Sequence, residues 1–127
     1  MMIRLFVLLG ALNAFLSVAL GAFGAHALKE RLTANGMLAT YQTGVQYHIA
    51  HALGLILIAL LAERWPNSPL LAWSGGLLLA GIVLFSGSLY ALAVSGVRVL
   101  GAITPFGGVC FLAGWALLVV AAIQAAR

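Results

Sequence analysis

Four long apolar stretches, separated by short polar breaks, constrain this chain more than any other feature. A helix needs about 20 apolar residues to cross the roughly 30 Å hydrocarbon core of a bilayer, and each stretch is that long. Of the 127 residues, 65% are hydrophobic and only 6% are charged, whereas a soluble domain has about 25% charged residues. Most of the surface must therefore face lipid. The sequence predicts an all-α integral membrane protein, with four transmembrane helices packed as a compact bundle.

The breaks between the apolar stretches carry recognisable turn signals. Asn35-Gly36 is a typical left-handed helix end, the segment Glu63–Pro69 contains two prolines and Trp65, and Thr104-Pro105 is suited to begin a helix. These signals predict a single membrane domain, residues 1–127, with helices at about 5–34, 37–62, 70–94 and 105–125.

The first apolar stretch also has two features of a secretory signal peptide. Arg4 would be its basic region, and Ala25-His26-Ala27 would be a cleavage site. The stretch is long for a signal peptide, and its removal would leave three helices. We therefore expect it to stay in the protein as the first span.

The basic residues do not predict which side of the membrane the termini occupy. Four spans place both termini on one side, and positively charged residues favour the cytoplasmic side. The counts are equal on the two sides: Arg4, Arg64 and Arg127 against Lys29, Arg31 and Arg98.

Small and polar residues form stripes at helical spacing. Because lipid tails are as apolar as leucine, helices in a membrane associate through small residues and interhelical hydrogen bonds. The third helix has such a face from Ser74 to Ser95. The fourth helix has its own, which includes Cys110 and Ala121. The residues predicted to form the main packing faces of the first and fourth helices are Gly10, Asn13, Ser17, Gly21, Gly24, Gly107 and Gly114. A polar conduit lined by Asn13, Ser17 and Ser88 is the alternative interpretation.

Two histidines lie inside the second apolar stretch, Gly44–Leu61. His48 and His51 share a helix face with Tyr47. An unpaired ring nitrogen in hydrocarbon is costly, and so is a charged one. We therefore expect neutral rings that face the interior and hydrogen-bond to neighbouring helices. The expected partners are Tyr90, Ser86 or Ser88.

The chemical role of the histidines has several interpretations. They could be hydrogen-bonded structural residues, form a site for a small polar molecule, lipid headgroup or quinone-like ligand, handle protons, or ligate a metal or haem. His26 ends the first stretch at the same membrane level and completes a candidate layer of three, although it lies across its helix from the small-residue stripe.

Known catalytic arrangements are not matched by this sequence. It has no aspartate, and its carboxylates, Glu30 and Glu63, flank opposite ends of the second span. The segment Thr104–Gly108 is glycine-rich but lacks the Lys-Ser/Thr of a phosphate-binding loop. We expect no catalytic residue, no metal site and no cofactor, hence a protein that is not an enzyme.

Four segments in order resemble one known family. They are GAFGAHALKERL (21–32), YHIAHALGL (47–55), FSGSLYAL (85–92) and ITPFGGVCFLAGW (103–115). Together they are similar to the small bacterial inner-membrane family catalogued as domain of unknown function 423 (YgdD/YwdK-like). The resemblance implies a multi-pass protein with four helices in the bacterial cytoplasmic membrane. It implies no established activity, substrate or cofactor.

The sequence thus favours a non-enzymatic accessory or scaffold protein in the membrane. The alternative is a small-solute or proton pathway built from an oligomer with an intramembrane histidine site, and a metal-, haem- or quinone-binding membrane protein is more distant. The expected partners are the lipid bilayer and either a second copy or another membrane protein. Nucleic acid is not expected, since the basic residues form no cluster.

Overall fold

The computed structural model describes residues 1–126, which are predominantly helical and contain no strand. Arg127, counted above among the basic residues, lies outside the described residues. Six α-helices, one π-helical segment and one 3-10 segment follow in chain order. They are α1 (Met2–Ala25), α2 (Lys29–Ala34), α3 (Leu38–Arg64), α4 (Pro69–Gly81), the π segment (Ile82–Ser86), α5 (Gly87–Ser95), the 3-10 segment (Arg98–Ala102) and α6 (Thr104–Ala125).

Four of the helical stretches are long and apolar enough to cross a membrane. They are Met2–Ala25, Leu38–Arg64, Pro69–Ser95 and Arg98–Ala125. The third span comprises α4, the π segment and α5, which run on without an intervening loop. The predicted architecture of four membrane-spanning helices is confirmed.

The turn signals act where the sequence predicted them. Gly36, after α2, has φ +64°. Gly96, a helix end that is not among those predicted from the sequence, follows α5 with φ +73°. This left-handed backbone favours glycine because it has no Cβ. Pro69 begins α4, and Pro105 lies in the first turn of α6, where a missing N–H costs no helical hydrogen bond.

The structure differs from the predicted continuous helix over residues 5–34. α1 ends at Ala25, and the N–H of Leu28 donates to the carbonyl of Phe23 at 2.8 Å before α2 begins. The reason is tertiary: Leu32 is fully buried against Tyr41 and Ala93. A change of direction at residues 26–28 lets this short amphipathic helix fold back onto α3 and α5.

The two middle spans form the centre of the bundle. Within the most apolar stretch of each span, 44% of the residues are buried in the second and third spans. The share is 17% in the first span and 22% in the last. α1 packs mainly on α3, and α6 packs mainly on α4 and the π segment. The main core contains Leu55, Ile58, Leu71 and Leu78, all fully buried.

Small residues allow the helix backbones to approach closely. A Cβ on Gly10 would lie 2.9 Å from the carbonyl oxygen of Ala52, and a Cβ on Gly107 would clash with the backbone of Phe85. Side-chain hydroxyls add ties between spans: Ser74 Oγ donates to the Gly114 carbonyl at 2.7 Å. Packing and hydrogen bonding of this kind hold helices together in lipid.

Candidate intramembrane histidine site

His48 is 4% exposed and joins three helices. Its Nε2 lies 3.0 Å from Asn13 Oδ1 on α1, and its Nδ1 lies 2.9 Å from the Tyr90 hydroxyl on α5. The amide nitrogen of Asn13 donates to the Leu9 carbonyl at 2.8 Å, which directs its oxygen to the ring. A neutral His48 therefore carries its proton on Nε2 and accepts the Tyr90 O–H at Nδ1.

His51 is 6% exposed and joins α3 to α6. The indole N–H of Trp115 donates to His51 Nε2 at 3.0 Å, and His51 Nδ1 lies 2.7 Å from the carbonyl oxygen of Tyr47. An indole nitrogen can only donate, so His51 Nε2 is unprotonated. The proton is on Nδ1 and points at the carbonyl. The two histidines thus hold opposite tautomers.

Aromatic rings surround His51. Phe111 stacks on the imidazole with 3.5 Å between ring centroids and 13° between planes, and Tyr47 lies nearly parallel at 5.9 Å. An open cavity of about 520 Å³ borders this stack; it is lined mainly by apolar atoms and includes Phe85 and Trp115. The stack fixes the imidazole plane, so its nitrogens stay aimed at their partners.

The two predicted serines do not bond to the histidines. Ser86 Oγ donates to the Gly44 carbonyl at 2.8 Å. Ser88 Oγ donates to the Phe85 carbonyl at 3.0 Å and shares a 2.6 Å hydrogen bond with the Thr104 hydroxyl. Both tie the third span to a neighbouring helix, and of the three expected partners only Tyr90 hydrogen-bonds to a histidine.

His26 lies apart from the other two histidines. It is exposed at the end of α1, beside a shallow cavity lined by Ala19, Ala22, Phe23 and Ala27. The layer of three histidines expected from the sequence does not form, because the face of α1 that meets α3 carries Asn13 and Ser17 instead. Ser17 Oγ donates to the Val45 carbonyl at 3.3 Å.

The three remaining predicted packing residues all lie at contacts between helices. Gly24 lies against the ring of Tyr41, Gly21 faces Val45, and Gly114 faces Leu78. The Tyr41 hydroxyl donates to the Leu20 carbonyl, which adds a tie between α1 and α3.

Sequence reasoning missed three partners of the histidines. Helical spacing predicts Asn13 as a packing residue or as part of a polar conduit, and the predicted histidine site includes neither Phe111 nor Trp115. One signal was available for Trp115: a buried indole N–H usually finds an acceptor, and His51 is one of the side chains in the spans that can accept. The stacking of Phe111 depends on how α3 and α6 cross, which no local pattern encodes.

Comparisons with known proteins agree with this architecture. A family model described as "Protein of unknown function (DUF423)" matches residues 20–108. The UPF0382 membrane protein YwdK of Bacillus subtilis is 50% identical over 95% of this chain and 98% of its own length. The UPF0382 inner membrane protein YgdD of Escherichia coli K12 is 45% identical over 98% of this chain and 93% of its own.

No solved structure matches the chain.

The family match covers most of the chain, including both interior histidines, and the two relatives align over nearly their whole length. One of them is named an inner membrane protein, in line with the four apolar spans. The chain therefore belongs to the DUF423 family and is a multi-pass protein of the bacterial inner membrane.

Proposed function

We propose that this protein is a non-enzymatic accessory or scaffold protein, a single membrane domain that acts through its outer surfaces. One observation supports the proposal above the others. All four ring nitrogens of His48 and His51 take part in hydrogen bonds, three of them to other helices. The imidazoles therefore work as ties inside the bundle.

A ligand or a metal would have to break one of these bonds. Coordination requires a free nitrogen lone pair, but the Nε2 lone pair of His51 already accepts from Trp115 and the Nδ1 lone pair of His48 accepts from Tyr90. Each displaced partner would be a polar group left unpaired in the bundle, at about 1–3 kcal/mol. This cost favours a structural role for the histidines.

The test compares wild-type protein with His51→Gln in two assays. In detergent, we expect the variant to keep most of the wild-type stability, because the glutamine oxygen can still accept from Trp115. In native membranes, a chemical cross-linker should trap wild type and variant with the same stoichiometric protein partner. Loss of all partner capture with unchanged folding would contradict a purely structural role for His51.

A proton pathway is the second candidate, and one contact favours it. The Tyr90 hydroxyl can either donate to His48 Nδ1 or accept from it. His48 can thus gain a proton without losing its partner, whereas a proton on His51 Nε2 would face the Trp115 N–H. Proteoliposomes with an imposed pH gradient test this. Dissipation lost in His48→Gln but retained in His51→Gln would support the pathway; a gradient held as in protein-free liposomes would contradict it.

A further inference from the structure

The outward face of α3 changes character halfway along the helix. Its exposed residues recur at spacings of three and four, and the first half differs from the second. One exposed stripe has Ala39, Gln42, Gln46 and Ala50 in its first half and Leu53, Leu57 and Leu60 in its second. Tyr47, which is also exposed, lies on a different side of the helix, about 100° from Gln46. The leucines suit contact with lipid, whereas two amides flanked by alanines do not.

Gln46 lies too deep for its amide to reach water easily. α3 has 27 residues, hence a length of about 40 Å, against a hydrocarbon core of about 30 Å. Gln46 is eight residues after Leu38, roughly 12 Å along the axis. If the span is centred, Gln46 lies about 7 Å inside the hydrocarbon and Gln42 at its edge. A primary amide facing hydrocarbon without a partner is costly.

The neighbouring polar groups of the same subunit already have partners. The Tyr41 hydroxyl donates to the Leu20 carbonyl, Thr43 to the Ala39 carbonyl and Ser17 to the Val45 carbonyl. Beside the glutamines, the α1–α3 junction forms an open groove of about 390 Å³, whose α1 side is Gly21, Gly24 and Ala25. These small residues leave room for another helix to come close.

We propose that this face of α3 binds the same face of a second copy of the chain. An amide carries both donors and an acceptor, so Gln46 of one copy can pair with Gln46 of the other. Copies inserted in the same orientation can be related by a two-fold axis along the membrane normal, and residues that lie at this axis meet their own counterparts at equal depth. Small residues with interhelical amide bonds are a usual composition for a membrane helix contact.

A second copy fits better than a lipid or an unrelated helix. A lipid headgroup lies at the interface and meets Gln42 more readily than Gln46, whereas two parallel copies pair both glutamines at equal depth. The proposal goes beyond a general scaffold role, because it assigns one surface and one occupant, and it does not depend on what the histidines do.

Disulfide trapping in native membranes tests the proposal. Cys110 is the single cysteine, so a Cys110→Ser background accepts one new cysteine at a time. Under mild oxidation, Gln46→Cys and Gln42→Cys should each give a band at twice the 13.2 kDa chain mass. Leu112→Cys on α6, which is 74% exposed, is the matched control and should stay monomeric.

The amide contribution is measured with Ala50→Cys as reporter. Adding Gln46→Leu to this variant should weaken dimerisation by roughly three- to thirtyfold, as expected for losing one interhelical hydrogen bond in a membrane, without lowering the thermal stability of the monomer in detergent. Equal trapping at Leu112→Cys, no dimer at Ala50→Cys, or an Ala50→Cys adduct with a different protein would each overturn the proposal. An unchanged dimer in Gln46→Leu would overturn the role of the amide.

Discussion

His48 and His51 lie one turn apart on α3, yet their chemistry differs because their partners differ. Trp115 can only donate, so it fixes His51 as a neutral acceptor. For His48, Asn13 provides an acceptor, and Tyr90 provides a hydroxyl that can donate or accept a hydrogen bond. Residue type alone would treat the two imidazoles as equivalent, and the neighbouring helices remove that equivalence.

We predict opposite tautomers for the two rings in solution. Nitrogen-15 NMR of histidine-labelled protein in detergent micelles near neutral pH should show His48 protonated at Nε2 and His51 protonated at Nδ1. His26→Gln removes the signal of the exposed ring, and His48→Gln assigns the rest. Two rings with the same tautomer would contradict the hydrogen bonds described above.

The Trp115 indole should stabilise the bundle through its N–H as well as its ring. Trp115→Phe removes the donor and leaves His51 Nε2 without its partner, at an expected cost of about 1–3 kcal/mol in the free energy of unfolding. Trp73→Phe is the control, since Trp73 is 69% exposed. Unfolding in mixed detergent measures both. If the two substitutions cost the same, the indole–imidazole bond contributes nothing.

Among the helices, the third span is the least regular. Its π segment brings the backbone of Phe85 against Gly107 at the start of α6. π-Helical turns inside α-helices insert one extra residue and re-aim the side chains around them. Here the turn places Phe85 in the aromatic group around His51 and Ser86 against α3.

Alanine substitutions at two adjacent glycines of α6 distinguish the effect of close packing from that of helix propensity. A Cβ on Gly107 would clash with the backbone nitrogen of Phe85, whereas a Cβ on Gly108 would lie 3.9 Å from the Phe85 ring, an ordinary contact. We expect Gly107→Ala to lower the free energy of unfolding by about 1–3 kcal/mol, as overpacking does. Both substitutions gain about 1 kcal/mol of helix propensity, since alanine replaces glycine. Gly108→Ala has no clash to offset this gain, so it should be neutral or stabilising. Similar effects at the two positions would mean that α6 can shift away from the π segment.

The elements show which features of this fold the sequence can predict. Helix boundaries at Gly36, Pro69 and Pro105 depend on local backbone chemistry, so they can be predicted from sequence. The break after Ala25 and the π segment are not, because each serves a contact between residues far apart in the chain. The same division holds within the site. The inward face of α3 follows from helical periodicity, whereas the pairing of His51 with Trp115 depends on a crossing of two spans.

At the scale of the whole molecule, the remaining question is which side of the membrane each loop faces. The basic residues are balanced between the two sides, so insertion is not strongly directed by charge. The four spans nevertheless fix the relation between loops: the segment around α2 and the 3-10 segment must lie on one side, and the Pro66–Pro69 turn on the other.

Cysteine labelling from one side of the membrane tests this topology. In a Cys110→Ser background, single cysteines at Glu30, Asn67 and Arg98 are placed at exposed positions. Asn35 is avoided, because its amide donates to the Ala93 carbonyl at 3.0 Å and ties α2 to α5. With a membrane-impermeant thiol reagent on intact spheroplasts, Glu30→Cys and Arg98→Cys should react alike and Asn67→Cys oppositely, with full labelling of all three after permeabilisation.

Glu30→Cys and Asn67→Cys reacting from the same side would contradict the four-span architecture. Half-labelling of all three positions would instead mean that the chain inserts in both orientations, and parallel copies would then make up only part of the population.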